Sequence, residues 1–145
     1  MKIDKILGII KEKLDGINYA FIGSVNLYVQ GIGVQPRDID ILTTLADIKK
    51  IDKILEKYRI KDIYFDESEG RNSYRSFYKI DSVEIEVLGN VNNIARQPEA
   101  LGRKILINFN GINLPCFLLT DELEAYRKMG RAEKVEIIEK FLGNK

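Results

Sequence analysis

The sequence has no histidine among its 145 residues and only one cysteine. Histidine is the commonest general base and the commonest metal ligand of enzymes, so its absence excludes Ser-His-Asp and Cys-His catalysis. Cys116 stands in the apolar run "LPCFLL". One thiol cannot form an internal disulfide, and without histidine it does not indicate a structural zinc site. We therefore expect Cys116 to be a buried thiol.

An excess of one charge and long apolar runs are also missing. The 23 basic and 22 acidic side chains give a net charge of +1, so no overall field draws the chain to nucleic acid or to an anionic membrane. No run approaches the ~18 apolar residues of a membrane span. The first 14 residues mix lysines with apolar residues, which is typical of an amphipathic helix rather than of a signal peptide. We expect a cytoplasmic protein without membrane contact and with one domain over residues 1–145.

Apolar periodicity predicts the order of helices and strands. Residues 3–14 and 45–58 have helical spacing, and two further helices are predicted at residues 120–130, capped by Thr120, and 131–143. Strands are predicted at residues 19–22, 37–44, 60–65, 74–80, 83–89, 104–109 and 112–119. Asp81-Ser82 and Asn110-Gly111 have the composition of hairpin turns. This order predicts an α+β fold with a mixed central sheet flanked by helices.

The segment "FIGSVNLYVQGIGVQPRDIDILTT", residues 21–44, contains the features most typical of a functional site. Ser24 follows a predicted strand and is a natural N-cap for a short helix, where free backbone N–H groups attract phosphate. Gly23 allows the backbone to approach a ligand closely. We therefore predict that Gly23 and Ser24 form a phosphate-binding turn.

Two aspartates follow in the next predicted strand of the same segment. Asp38 and Asp40 are two residues apart, so in a strand they share one face at a spacing of roughly 7 Å. Two carboxylates on one face of an apolar strand repel each other unless a cation lies between them. Mg²⁺ is commonly held by one or two carboxylates together with substrate phosphates. The pattern predicts a metal site beside a phosphate site, which is the arrangement for transferring a nucleotide from a triphosphate.

The same residues resemble a known signature. An apolar residue, Gly23-Ser24, a spacer of 13 residues and then Asp38-Ile39-Asp40 between apolar residues is similar to the pattern of the nucleotidyltransferases of the DNA polymerase beta superfamily. The resemblance implies a polymerase beta palm-like fold and a site for two Mg²⁺ ions held by Asp38, Asp40 and a third carboxylate on a later strand.

The strand "VEIEVLG" offers Glu84 and Glu86 as that third carboxylate. In the superfamily this acid usually precedes a short apolar run, so the resemblance favours Glu86, with Glu84 as its substitute. Most relatives have aspartate at this position, and glutamate is a departure from the pattern. Glu86 is thus expected to complete the catalytic and metal-binding set.

The C-terminal segment "LEAYRKMGRAEKVEII" resembles the tail of small antitoxin-like or antibiotic-resistance-like members. Lys128, Gly130 and Arg131 match that tail, while Val135 stands where relatives keep an aspartate. The resemblance implies that Lys128 binds nucleotide phosphate together with Gly23 and Ser24. A lysine on the solvent face of an amphipathic helix is the alternative interpretation.

The function implied by the resemblance is transfer of a nucleoside monophosphate from an NTP to an acceptor hydroxyl, with release of pyrophosphate. The acceptor (RNA, protein or a small molecule) and the base of the nucleotide stay open. The alternatives are a catalytically silent module that binds a nucleotide or a partner, as antitoxin-like proteins do, and an enzyme half that needs a small helical protein partner. A homodimer is also left open.

One further segment, "EGRNSYRSFYK", interleaves basic and aromatic residues. This pattern binds single-stranded nucleic acid in some proteins, but it is more typical of an ordinary edge hairpin, which we favour here. Its members are Arg71, Tyr74, Arg75, Phe77, Tyr78 and Lys79.

Overall fold

The computed structural model describes residues 2–68, 72–90 and 95–143. The predicted hairpin residue Arg71 lies outside the described residues. Within them the chain forms the helices α1 (Lys2–Lys13), α2 (Gly23–Val29), α3 (Leu45–Ile54), α4 (Leu119–Lys128) and α5 (Ala132–Gly143). The strands are β1 (Tyr19–Ile22), β2 (Ile39–Thr44), β3 (Arg59–Asp66), β4 (Ser73–Ile80), β5 (Val83–Asn90), β6 (Ile105–Phe109) and β7 (Ile112–Cys116). Short 3₁₀ turns cover Glu56–Tyr58 and Pro98–Arg103.

All seven strands join one sheet in the order β3-β4-β5-β2-β1-β7-β6. The pairs β2–β5 and β1–β7 are parallel, and the other neighbouring pairs are antiparallel. The sheet is therefore mixed, and the predicted α+β fold with flanking helices is confirmed. The strand β1 is buried at every residue, as expected for a central strand covered on both faces.

The two faces of the sheet differ in what covers them. Ile39 and Ile41 of β2 point to one face, where they pack with Ile6 of α1 and Ile48 of α3 in the main apolar cluster. Because side chains alternate along a strand, Asp40 and Leu42 point to the other face. There a smaller cluster joins Leu42 to Ile22, Leu101 and Phe117. Asp40 thus lies on the face that is not covered by α1 and α3.

Both predicted hairpin turns are present. Asp81 and Ser82 have φ angles of 46° and 66°, and Asn110 and Gly111 have 52° and 85°. Positive φ at both central residues is the mark of a type I′ turn, whose twist matches that of the flanking strands. The first turn sets the β4–β5 register, which aligns Phe77 with Glu86.

Two predicted helix caps are wrong. The helix α2 begins at Gly23, so Ser24 lies inside it, and Ile22 at the N-cap makes no side-chain capping bond. The helix α4 begins at Leu119, which places Thr120 inside its first turn. The residues at these positions are apolar: Ile22, the N-cap of α2, and Leu119, the first residue of α4, are both buried. A side-chain cap is found instead at α3, where Thr44 accepts a hydrogen bond of 3.0 Å from the Asp47 N–H.

Two expectations from composition can be compared directly with the structure. Cys116 is a free, buried thiol, as predicted. No helix in the described parts of the chain is long and apolar enough to cross a membrane.

Candidate active site

The register of three neighbouring strands brings the predicted acidic residues together. Asp40 is aligned with Ile22 on β1, at the start of the Gly23-Ser24 turn, and with Glu86 on β5. In-register neighbours present their side chains on the same face. Asp40 is therefore flanked by the turn on one side and by Glu86 on the other. Glu84 lies outside this alignment, because β2–β5 pairing begins at Ile39 and Ile85.

The Gly23 backbone makes room for the Asp40 carboxylate. Gly23 has a φ of +72°, and a Cβ at this position would lie 3.0 Å from Asp40 Oδ2. The left-handed backbone and the contact both favour glycine. A glycine at this turn thus lets the carboxylate approach the backbone.

The environment of Asp40 opposes its negative charge. Burial, Glu86 and Asp38 raise the pKa of Asp40 to about 7, and Arg96 opposes this rise. Asp38 lies in an exposed bend just before β2, one residue outside the strand that was predicted to hold it. The negative charges of Glu86 and Asp38 thus both act on Asp40.

A cavity of about 270 Å³ opens beside these aspartates. Its lining consists of Ser24, Gln35, Pro36, Arg37, Asp38 and Asp40. Arg37 brings a cation and Ser24 a hydroxyl to a space that also contains the carboxylates of Asp38 and Asp40. The cavity therefore combines groups that bind phosphate with groups that bind metal ions.

A lysine that the sequence analysis did not single out contacts the turn. Lys134, near the start of α5, has its Nζ atom 3.2 Å from Ser24 Oγ. Lys128 is exposed at the end of α4, and its predicted contact with phosphate stays a prediction. Lys134 directly precedes Val135, the position where the resemblance implies an aspartate, so the C-terminal pattern was a local signal for this lysine. Its contact with Ser24, 110 residues away, follows only from the fold.

A buried ion pair supports the turn from beneath. Glu122 of α4 is 0% exposed and accepts a hydrogen bond of 3.0 Å from the Gly23 N–H. Its other oxygen accepts a bond of 3.2 Å from Nε of Arg96, which is also buried. Burial raises the pKa of Glu122, and Arg96 and the Gly23 N–H oppose that rise. Sequence reasoning missed both residues, since charged side chains are normally surface residues.

Glu86 also has a cationic neighbour. Arg75 of β4 donates to Glu86 Oε2 through one terminal nitrogen, and its other terminal nitrogen is 2.9 Å from Asp66 Oδ2. Arg75 thus neutralises the carboxylate that the resemblance assigns to the metal.

The donor set fits a hard divalent cation. Among the described residues, no three acidic or cysteine side chains already converge on one point as ligands. Asp40 and Glu86 are nevertheless aligned on adjacent strands, and a cation beside them would favour the charged form of Asp40, which burial and Glu86 disfavour. Carboxylate oxygens are the ligands that Mg²⁺ prefers. The residues present therefore fit Mg²⁺, provided that Glu86 exchanges its contact with Arg75.

Comparison with known proteins identifies similar folds. No protein-family profile matches the chain, and no curated protein matches it significantly. A Thermotoga maritima protein, provisionally described as a nucleotidyltransferase, is 26% identical with a TM-score of 0.82, and the match covers 99% of this chain and 94% of that one. ANT(2″)-Ia, an aminoglycoside nucleotidyltransferase solved in complex with adenylyl-2″-tobramycin, is 13% identical with a TM-score of 0.60; the match covers 98% of this chain and 88% of the enzyme. The chain therefore has a nucleotidyltransferase fold and is related to the nucleotidyltransferase superfamily.

Proposed function

We propose that the chain is a Mg²⁺-dependent nucleotidyltransferase that transfers a nucleoside monophosphate from an NTP to an acceptor hydroxyl and releases pyrophosphate. The observation that carries the proposal is the alignment of Asp40 with Glu86 on one side and with the Gly23-Ser24 turn on the other. This alignment joins a carboxylate pair to a phosphate-binding turn in one site.

The triphosphate is assigned to the cavity beside Ser24. The Ser24 hydroxyl donates to a phosphate oxygen, while Lys134 and Arg37 supply positive charge from two sides. The helix α2 has only seven residues, so its dipole contributes little and these side chains carry the binding. They also stabilise the charge that develops on pyrophosphate as it leaves.

The carboxylates Asp38, Asp40 and Glu86 are assigned to hold Mg²⁺. The bound metal would polarise the phosphoryl oxygens and lower the pKa of the acceptor hydroxyl. The acceptor oxygen forms a bond to the α-phosphorus, the bond from that phosphorus to the bridging oxygen breaks, and pyrophosphate leaves with the electron pair. The proton of the acceptor passes to Glu86 or to solvent. No histidine is required, in agreement with the composition.

One observation favours a second candidate, a catalytically silent module that binds a nucleotide or a protein partner. The Glu86 carboxylate already accepts a hydrogen bond from Arg75. If this contact persisted with nucleotide bound, Glu86 would not bind a metal ion. Nucleotide binding without transfer by the wild-type protein would favour this candidate. Transfer by the wild type would exclude it.

A label-transfer assay tests the proposed activity. The protein is incubated with Mg²⁺ and each of four NTPs labelled at the α-phosphate, in separate reactions with RNA, protein and small hydroxyl-bearing acceptors. We expect one acceptor class to become labelled by the wild type. The variant Asp38→Asn/Asp40→Asn is expected to transfer no label, because two of the three proposed metal ligands lose their charge. Asp81→Asn, in the exposed β4–β5 turn, is the matched control and should behave as wild type. Labelling by the double variant at the wild-type rate would contradict the proposal.

A further inference from the structure

The sheet order separates the two ends of the proposed reaction. The triphosphate groups Ser24 and Lys134 lie on the β1 side of Asp40, whereas Glu86 lies on its β5 side. In phosphoryl transfer the attacking and leaving oxygens lie roughly in line on opposite sides of the phosphorus. If pyrophosphate leaves on the β1 side, the acceptor must approach over β5 and its neighbour β4.

The surface on that side includes two stacked aromatic rings and a lysine, close to the Arg75 side chain that contacts Glu86. Phe77 of β4 is aligned with Glu86 and shares its face of the sheet. The ring of Tyr64 on β3 stacks on Phe77, with centroids 6.3 Å apart and planes 14° apart. Lys61 Nζ lies 4.1 Å from the Tyr64 centroid and 6.0 Å from the Phe77 centroid. We call Lys61, Tyr64 and Phe77 the acceptor-side surface.

The three side chains of this surface do not belong to the main hydrophobic core. The opposite face of the same hairpin carries Tyr78 and Ile80, which belong to the main apolar cluster. Tyr64 and Phe77 are absent from that cluster and are only half-buried, and Lys61 is exposed. The two rings therefore remain partly exposed to solvent, and Lys61 adds an exposed cation on the side of Asp40 where Glu86 lies.

The chemistry of the surface selects among acceptors. Aromatic side chains stack on nucleobases of any sequence, and nearby cations contact the phosphate backbone. Lys61 and Lys79, which is aligned with Glu84 on the same face, disfavour an acceptor that is itself polycationic. A protein acceptor has no general need for stacked rings. The combination fits a polyanion with planar bases.

We propose that the acceptor is the end of a single-stranded nucleic acid. Its terminal base stacks on Tyr64 and Phe77, a phosphate contacts Lys61, and its ribose hydroxyl lies at Glu86. This proposal rests on the proposed function, because it names the acceptor of the same reaction. A local patch of this kind is compatible with a net charge of only +1, since binding then depends on a few contacts rather than on an overall field.

Binding of RNA to the intact protein tests the surface independently of catalysis. The probe is a fluorescein-labelled single-stranded RNA of mixed sequence, followed by anisotropy. Phe77→Leu keeps an apolar side chain but removes the aromatic ring, and we expect it to weaken RNA binding about fivefold or more. We expect the same loss of RNA affinity for Tyr64→Ala. Phe65→Ala is the matched control, because Phe65 lies on β3, as Tyr64 does, but packs edge-on against Tyr74 instead of Phe77. It should bind RNA within about twofold of wild type if only the acceptor-side surface matters.

A pair of lysine variants tests the phosphate contact. Lys61→Gln should weaken RNA binding and reduce its dependence on salt. Lys57→Gln is the control, because Lys57 also lies over a ring, that of Tyr58, which packs against the main cluster instead. The proposal would be overturned if the single variants Lys61→Gln and Phe77→Leu both bound RNA with wild-type affinity.

The transfer assay distinguishes the failure of this inference from failure of the proposed function. Label in RNA that is lost in Phe77→Leu, with NTP affinity unchanged, supports both. Label in a protein or small molecule, with RNA unlabelled, overturns the nucleic-acid acceptor and leaves the proposed function intact. Absence of Mg²⁺–NTP binding by the wild type overturns the proposed function, and the acceptor assignment with it.

Discussion

The replacement Gly23→Ala should have two effects, backbone strain and disturbance of the proposed metal site, which a control variant can separate. An alanine at a φ of +72° costs about 1–2 kcal/mol of folding free energy. In addition, its Cβ would lie 3.0 Å from Asp40 Oδ2, so that the carboxylate must move. Displacing a group that orients a metal ligand typically lowers metal affinity roughly 10- to 100-fold. Gly23→Ala should therefore show both a loss of stability and a loss of metal affinity.

Gly16→Ala is the control for this experiment. Gly16 has a comparable φ of +82°, but an added Cβ would have no atom within 4 Å. Both variants should lose about 1–2 kcal/mol in urea unfolding with chelator present. Only Gly23→Ala should lose affinity for Mn²⁺, measured by electron paramagnetic resonance as a probe of the Mg²⁺ site. Equal Mn²⁺ affinity in the two variants would refute the argument that Gly23 makes room for Asp40.

Three further predictions concern neighbouring charges. Asp40→Asn should stabilise the metal-free protein above pH 7, because the folded-state pKa of Asp40 is raised to about 7 and its ionised form therefore destabilises the fold. In urea unfolding at a series of pH values, this gain in the free energy of unfolding should disappear as the pH falls from 7 toward 4. Glu122→Gln should cost about 3–5 kcal/mol, because it removes one charge of a buried ion pair. Asp121→Asn, in a more exposed ion pair, should cost less than about 1 kcal/mol in the same unfolding assay. Lys134→Gln should weaken NTP binding in calorimetry more than NMP binding, whereas an equal or larger effect of Lys128→Gln would favour the lysine expected from the sequence.

Local patterns were sufficient to predict the part of the site that lies close together in the chain. Strand alternation and the Gly23-Ser24 pair predicted β1, the turn and the aspartate that β2 carries. Turn composition predicted the β4–β5 hairpin, which aligns Glu86 with its neighbours. These features depend on interactions between residues a few positions apart, so periodicity and turn chemistry describe them well.

The supporting charges could not be predicted in the same way. Glu122 and Lys134 reach the turn only because α4 and α5 pack on α2, through a cluster that includes Leu27, Leu123 and Ile138. Contacts between residues 99 and 110 positions apart depend on this packing and leave no periodic trace in the sequence.

The stacking of Tyr64 on Phe77 could not be predicted from local sequence patterns either. The β3–β4 pairing has register shifts between Arg59 and Tyr64, and a shift of one residue moves a side chain to the other face of a sheet. The basic and aromatic character of the hairpin was visible in the sequence, but its position beside Glu86 follows only from the sheet order.

The most direct test of the proposed function is a calorimetric titration that needs no acceptor. Each of the four NTPs is added with Mg²⁺ to the wild type, to Asp38→Asn/Asp40→Asn and to the control Asp81→Asn. The proposed site predicts that the wild type and the control bind at least one NTP, and that the double variant binds none in the same concentration range. Equal binding by all three proteins, or no binding by the wild type, would contradict it.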